Sequence, residues 1–351
     1  MIRVLVVDDS KVMQDYIKFI LSSDPEIEIV GVANNGEEAL AAVLDLKPNV
    51  ITMDIHMPKM DGLEASRRIM ETQPTPIVIV TSSLSIYESA YAFHVLEAGA
   101  LTLVSRPPGP DDPNAESLYR ELITTVKLMS QVKVITRSKI KEPRQPAGID
   151  STPSHDVFKL IAIAGSTGAP LVLKDIMMGL PKSLPVPVII VQHMAAGFIE
   201  GMAKWLNQAT GFATRVAVHG ESLQPGVAYL APDQFNMGVD NNAKVVLTDS
   251  DYEHGARPSA SYLFRSVAQV FGKSTIAVLL SGMGKDGAVE LKKLKDCGAV
   301  TIAQDEKSSV VWGMPGEAVR IGGACKVLPS SQIAPALISL LCFDNPEEKL
   351  N

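Results

Sequence analysis

The chain has 351 residues, 46% hydrophobic and 20% charged, with a formal net charge of −7. That length suggests roughly two domains of ~100–200 residues, and the composition is that of a globular protein with a substantial core. No apolar stretch approaches the ~20 residues of a membrane-spanning helix, so the chain is not expected to be membrane-embedded. The N-terminus runs straight into a strand, without a signal-peptide layout. Cys297, Cys325 and Cys342 are odd in number and lack metal-ligand spacing, which fits reduced thiols in a cytoplasm.

In chain order, residues 1–130 read as alternating strands and helices. Strand-length apolar runs occur at 4–7, 27–32, 50–53, 77–80 and 101–104, with helix-period segments at 12–21, 37–46, 62–70, 87–97 and 116–129. Five βα units with continuous apolar strands predict a doubly wound parallel sheet. This unit holds 10 Lys/Arg against 19 Asp/Glu. Residues 131–157 break the pattern with Pro143, Pro146, Gly148 and Pro153 among basic residues, which predicts a solvated linker. The second unit, 158–351, balances 17 Lys/Arg against 17 Asp/Glu. Neither unit has the basic face or helix-turn-helix pattern of a nucleic-acid binder. Strands are expected at 160–164, 186–191, 227–230, 275–280 and 299–303, with a hairpin inside 231–250. Helices are expected at 170–179, 197–208, 260–270, 286–296 and 330–341. This is again α/β.

The first candidate site gathers carboxylates at strand ends. Asp8 and Asp9 follow the first strand and Asp54 the third, while Thr81 ends the fourth and Arg106 the fifth. Carboxyl ends of neighbouring parallel strands converge on one crevice. Three carboxylates there repel unless a cation sits among them, and Mg²⁺ suits carboxylates plus a phosphoryl group. Any one of them alone also fits a helix cap. Together they make a phosphoryl-transfer constellation.

Residues 1 to about 125 thereby resemble the receiver domain of two-component response regulators. The resemblance implies a flavodoxin-like fold with Asp54 as phospho-acceptor. It implies Mg²⁺ held by Asp9, Asp54 and the backbone carbonyl of His56, with Asp8 assisting, and Thr81 and Arg106 on the phosphoryl oxygens. Two positions depart from the family. Receivers usually carry Lys-Pro where this chain has Arg106-Pro107, and often an aromatic residue where it has Leu103. Arg keeps the charge but is a planar fork rather than a compact ammonium.

The second candidate site follows three strands of the other unit. The apolar run 160–164 stops at Gly165-Ser166-Thr167-Gly168, the run 186–191 leads into Gln192-His193, and the run 275–280 leads into Ser281-Gly-Met-Gly-Lys-Asp286. A small-Ser-small corner either presents a nucleophile or cradles a phosphate, and no P-loop Lys-Ser/Thr follows it. A serine needs a base to take its proton, and an imidazole needs a carboxylate to fix its tautomer. His193 supplies the base. Asp286 is favoured as the acid by its glycine-rich turn, although Asp233 and Asp305 also follow strands. The order Ser, His, Asp differs from that of α/β-hydrolases.

Residues ~158–345 resemble the catalytic domain of the CheB chemotaxis methylesterase family. The likeness rests on Ala164-Gly-Ser-Thr-Gly168, Val191-Gln-His-Met194, Gly282-Met-Gly-Lys-Asp-Gly-Ala288, Thr301-Ile-Ala-Gln-Asp-Glu306 and Trp312-Gly-Met-Pro315. It implies a Rossmann-like domain with Ser166 as nucleophile, His193 as base, Asp286 as orienting acid and the Met283 N–H in the oxyanion hole. It further implies phosphorylation-gated hydrolysis of glutamate γ-methyl esters on chemoreceptors, deamidation of receptor glutamines, a chemotaxis histidine kinase as phosphodonor, and no cofactor for the esterase. In the family pattern the unphosphorylated receiver covers the catalytic edge. The competing expectation is a receiver joined to a binding domain without chemistry. A serine-directed fluorophosphonate probe separates the two.

Overall fold

The computed structural model describes residues 1–81, 86–113, 115–132, 134 and 158–341. Most of the expected linker, and Cys342, lie outside these residues. The chain forms two compact units.

The first runs β1 (Ile2–Val7), α1 (Lys11–Leu21), β2 (Ile27–Ala33), α2 (Gly36–Leu46), β3 (Val50–Met53), α3 (Gly62–Thr72), β4 (Ile77–Thr81), α4 (Ile86–Glu97), β5 (Thr102–Ser105) and α5 (Ala115–Met129). Its five strands are parallel, in the order β2-β1-β3-β4-β5. Strands β3 and β4 are buried at every residue, as are Val4 to Val7 of β1. A strand covered on both faces must be apolar throughout, which is why these segments read as unbroken runs. Short polar side chains start the helices: Ser10 accepts from the Met13 N–H, Asn35 from Glu37 and Glu38, and Asp61 from Glu64. Each satisfies an N–H that the helix itself leaves unpaired. The winding reverses between β1 and β3, so the loops after those strands open on one crevice.

The second unit runs β6 (Leu160–Gly165), α6 (Ala169–Gly179), β7 (Val188–Gln192), α7 (Ile199–Thr210), β8 (Ala213–Val216), β9 (Val227–Leu230), β10 (Asn236–Val239), β11 (Val245–Thr248), α8 (Ala260–Val270), β12 (Thr275–Leu279), α9 (Ala288–Asp296), β13 (Val300–Gln304), α10 (Met314–Arg320), β14 (Lys326–Leu328) and α11 (Ser330–Leu340). Seven strands form a parallel sheet in the order β14-β13-β12-β6-β7-β9-β8. Strands β10 and β11 form a separate antiparallel hairpin within the expected 231–250. The winding reverses at β6, whose neighbours are β7 on one side and β12 on the other. One face of this sheet packs Leu160, Ala162 and Ala164 of β6 and Ala277 and Leu279 of β12 against Leu263, Phe264 and Val267 of α8, Leu291 and Leu294 of α9, and Met237 and Val239 of the hairpin.

The sheet has seven strands where five were expected. The additional β8 and β14 are its two edges. An edge strand pairs on one side only and stays half in water, so it lacks the apolar run that marks a central strand. Residues Ala213 and Arg215 of β8 are exposed, and no residue of β14 is buried. Helix α10 was also not anticipated, because seven residues starting at Met314-Pro315-Gly316 are too few to show a helical period.

Candidate functional site

In the first crevice Asp8, Asp9, Asp54 and Arg106 come together. Asp8 and Asp54 are buried and Asp9 is exposed, and one carboxylate oxygen from each lies within 4.8 Å of the others. Burial pushes both the Asp8 and Asp54 carboxyls above the usual range. The neighbouring acids add to this, and Arg106 offsets only part of it. The Arg106 Nη2 lies 3.0 Å from Asp54 and 3.3 Å from Asp8, and its backbone N–H donates to the Thr81 carbonyl at 2.9 Å. Two buried acids and a third at the rim, short of positive charge, are a donor set suited to a hard divalent cation. The His56 side chain is exposed and stacks on Tyr91 at 6.1 Å, whose hydroxyl donates to Asp61 at 3.2 Å. The loop from Asp54 folds back on itself, with the Gly62 N–H donating to the Ile55 carbonyl at 2.8 Å. A Cβ on Gly62 would stand 2.3 Å from the Asp54 carbonyl oxygen, so only glycine fits there.

The second site lies at the carboxyl edge of the seven-stranded sheet, where β7, β6 and β12 end side by side. Ser166 follows β6. Its N–H donates to the Ser281 carbonyl at 2.9 Å, and its carbonyl accepts from the Gln192 side chain at 2.8 Å. The Ser166 corner is therefore pinned through its backbone from both neighbouring strands. His193 follows β7, and its N–H donates to the Gly165 carbonyl at 2.9 Å. Its Nε2 lies 2.9 Å from Oδ2 of Asp286. This is ion-pair distance, but the ring N–H points off the line of a straight hydrogen bond. Burial pushes the Asp286 carboxyl up. The close approach of the His193 ring, with the hydrogen bonds of Ser261, outweighs it and holds the group well below the usual carboxylate range.

Asp305, the competing acid after β13, instead accepts from the Ser308 N–H at 3.0 Å and its hydroxyl at 2.6 Å. Asp233 follows β9. The structure thus brings Asp286, and not Asp305, to His193.

The turn 282–284 packs against Ser166. A Cβ on Gly282 would stand 2.8 Å from the Ser166 Cβ and 2.4 Å from the Met314 Sδ. The Gly282 N–H donates to the Val311 carbonyl, while the N–H groups of Gly313 and Met314 both donate to the Gly282 carbonyl. Ser281 is tied to both sides of the turn: its hydroxyl donates to the Thr167 carbonyl at 2.7 Å, and its N–H donates to Gln304 at 2.8 Å. Met283, at the tip, is partly exposed.

Sequence reasoning passed over Gln192, Ser281 and Gln304, which frame the corner. All three lie inside or beside quoted motifs, but a polar residue at a strand end does not announce whose backbone it will hold. Ser259 and Ser261 were also missed. Ser before the helical period at 260–270 marks a helix start, yet nothing local connects that start with Asp286.

Residues 161–337 match the family description CheB methylesterase, and residues 4–115 match response regulator receiver domain. A protein-glutamate methylesterase/protein-glutamine glutaminase of Nitrosospira multiformis is 47% identical over 360 residues, covering 100% of this chain and 99% of its own. One of that description from Geobacter metallireducens is 49% identical, covering 97% and 99%. Among solved structures, the Thermotoga maritima CheB methylesterase catalytic domain is 38% identical with a TM-score of 0.51, covering 52% of this chain and 98% of its own. Full-length similarity, two successive family matches and the arrangement at the sheet edge agree that the chain belongs to the CheB methylesterase family, with a response regulator receiver domain ahead of the esterase domain.

Proposed function

We propose that the protein is a phosphorylation-activated protein-glutamate methylesterase that also deamidates glutamines, acting on chemoreceptors in the cytoplasm. The observation that carries the reading is the approach of His193 to Asp286 at the edge where Ser166 is pinned between two strands. Full-length relatives bearing both activity names support it. Residues 1–130 form the receiver, 131–157 the linker and 158–351 the esterase.

In this reading the Ser166 hydroxyl attacks the γ-carbonyl carbon of a glutamyl methyl ester, and His193 takes its proton. Nε2 is turned to Asp286, which leaves Nδ1 as the base. The oxyanion faces the Met283 N–H, where one lost donor typically costs ~10²–10³ in rate. The bond to the methoxy oxygen breaks, His193 returns the proton, and methanol leaves. Water then attacks the acyl-enzyme, again losing its proton to His193, and Ser166 is released with a free glutamate carboxylate. Asp286 stabilises the imidazolium throughout. A glutamine substrate differs in its leaving group, ammonia in place of methanol.

Asp54 accepts the phosphoryl group from a histidine kinase. Asp8, Asp9, Asp54 and the His56 carbonyl would hold Mg²⁺, which neutralises charge on the transferring phosphoryl group. Arg106 and Thr81 orient the phosphoryl oxygens. Methanol release from methylated receptor membranes, with and without phosphodonor, tests the scheme. Ser166→Ala is expected to abolish release while leaving Asp54 phosphorylation intact. Asp54→Asn is expected to keep basal release and lose the response, and an unchanged response would overturn the gating.

A further inference from the structure

The acid of the site is held from outside the parallel sheet. Oδ1 of Asp286 accepts from the Ser259 hydroxyl at 3.0 Å and the Ser261 N–H at 2.9 Å. Oδ2 accepts from the Ala260 N–H at 2.7 Å and faces His193. These backbone donors open helix α8, so its partially positive end points at the carboxylate. Ser259 is fully buried, and its hydroxyl also accepts from the Tyr262 N–H at 3.3 Å. The Ser259 N–H donates to Oδ1 of Asn236 at 2.9 Å, itself fully buried on β10. Asn236 in turn donates to the Ser250 hydroxyl at 3.1 Å and the Asp251 carbonyl at 3.2 Å, just past β11. The Val239 N–H donates to the Ser266 hydroxyl at 2.8 Å, which clamps the hairpin to α8.

We propose that Ser259, seated by Asn236 of the hairpin, is a positioning residue of the esterase: its hydroxyl fixes the plane in which the Asp286 carboxylate is presented to His193. A carboxylate is free to rotate about its last bond. The Ser259 hydroxyl and Ser261 N–H on Oδ1, with the Ala260 N–H on Oδ2, stop that rotation and leave Oδ2 turned to the imidazole. The hairpin, which adds no strand to the main sheet, thereby acts as the buttress of the catalytic acid. The inference rests on the reading of Asp286 as that acid.

The test uses full-length Ser259→Ala and Ser259→Thr, each alone and combined with Asp286→Asn. The readouts are kcat and KM for methanol release and the rate at which a fluorophosphonate labels Ser166. Loss of one charge-assisted bond is expected to lower kcat and the labelling rate about tenfold, with KM little changed. Thr, which keeps the hydroxyl, is expected to restore most of both. In the Asp286→Asn background Ser259→Ala is expected to cost nothing further, because two effects exerted through one carboxylate do not add. A tenfold loss that persists in that background would overturn the positioning role alone. Full activity of Asp286→Asn would overturn the acid assignment with it. If Ser259→Ala melts below the assay temperature, Ser259→Cys keeps the volume, donates weakly, and carries the same cycle.

Discussion

Ser166 is held by its backbone rather than by its side chain. Its N–H reaches Ser281 and its carbonyl receives Gln192, so the hydroxyl stays available while the main chain around it is fixed. Gly282 has no room for a side chain beside it. In Gly282→Ala the new methyl must displace either Ser166 or Met314, and misplacement of a reacting group by about 1 Å can cost 10²-fold. Methanol release is expected to fall by about that factor, with Asp54 phosphorylation by a small-molecule phosphodonor unchanged. Gly62→Ala is the mirror experiment: its methyl presses on the Asp54 carbonyl, so phosphorylation slows while basal esterase activity persists. A third expectation concerns pH. Asp286 titrates below its unfolded value of ~3.9, so its ionised form stabilises the fold above that pH, and the contribution is lost as pH falls through the lower folded value. The thermal midpoint of the native protein is expected to exceed that of Asp286→Asn at pH 7, and the gap to narrow in acid below pH ~4.

At the scale of elements, the central strand β6 carries small side chains where helices come closest. Ala162 stands opposite Ala277 of β12, and both are fully buried in the cluster under α8 and α9. Ala162→Leu overfills this layer and is expected to lower the stability of the esterase unit by ~1–3 kcal/mol, read from its unfolding transition. The central strands were legible in the sequence for the same reason they are sensitive: coverage on both faces demands an unbroken apolar run. The edges β8 and β14 were not, because water satisfies one side of each and relaxes that demand. The site was legible to the same depth. Ser166, His193 and Asp286 stand at ends of central strands, whereas the groups that seat Asp286 sit on α8 and the hairpin, joined to it only by folding.

Across the whole molecule, the two units carry separate chemistries with separate requirements. The Asp8, Asp9 and Asp54 group is the one cluster able to hold a metal ion among the described residues, and it lies in the receiver. Chelation of divalent cations is therefore expected to stop phosphorylation of Asp54 and its activating effect, while basal methanol release continues. Loss of basal release on chelation, reversed by added Mg²⁺, would contradict this division.

The pairing of β6 with β12 has a consequence for how the protein is made. Leu160 pairs with Thr275, and the Ser166 N–H closes on Ser281, across a stretch of chain that includes three strands of the same sheet and the hairpin. Contacts this distant in sequence form late. A chain still on the ribosome has its serine and histidine translated long before the strand that frames them exists. The nascent esterase is accordingly expected to be silent toward a fluorophosphonate until β12 has emerged, so that activity awaits a nearly complete chain.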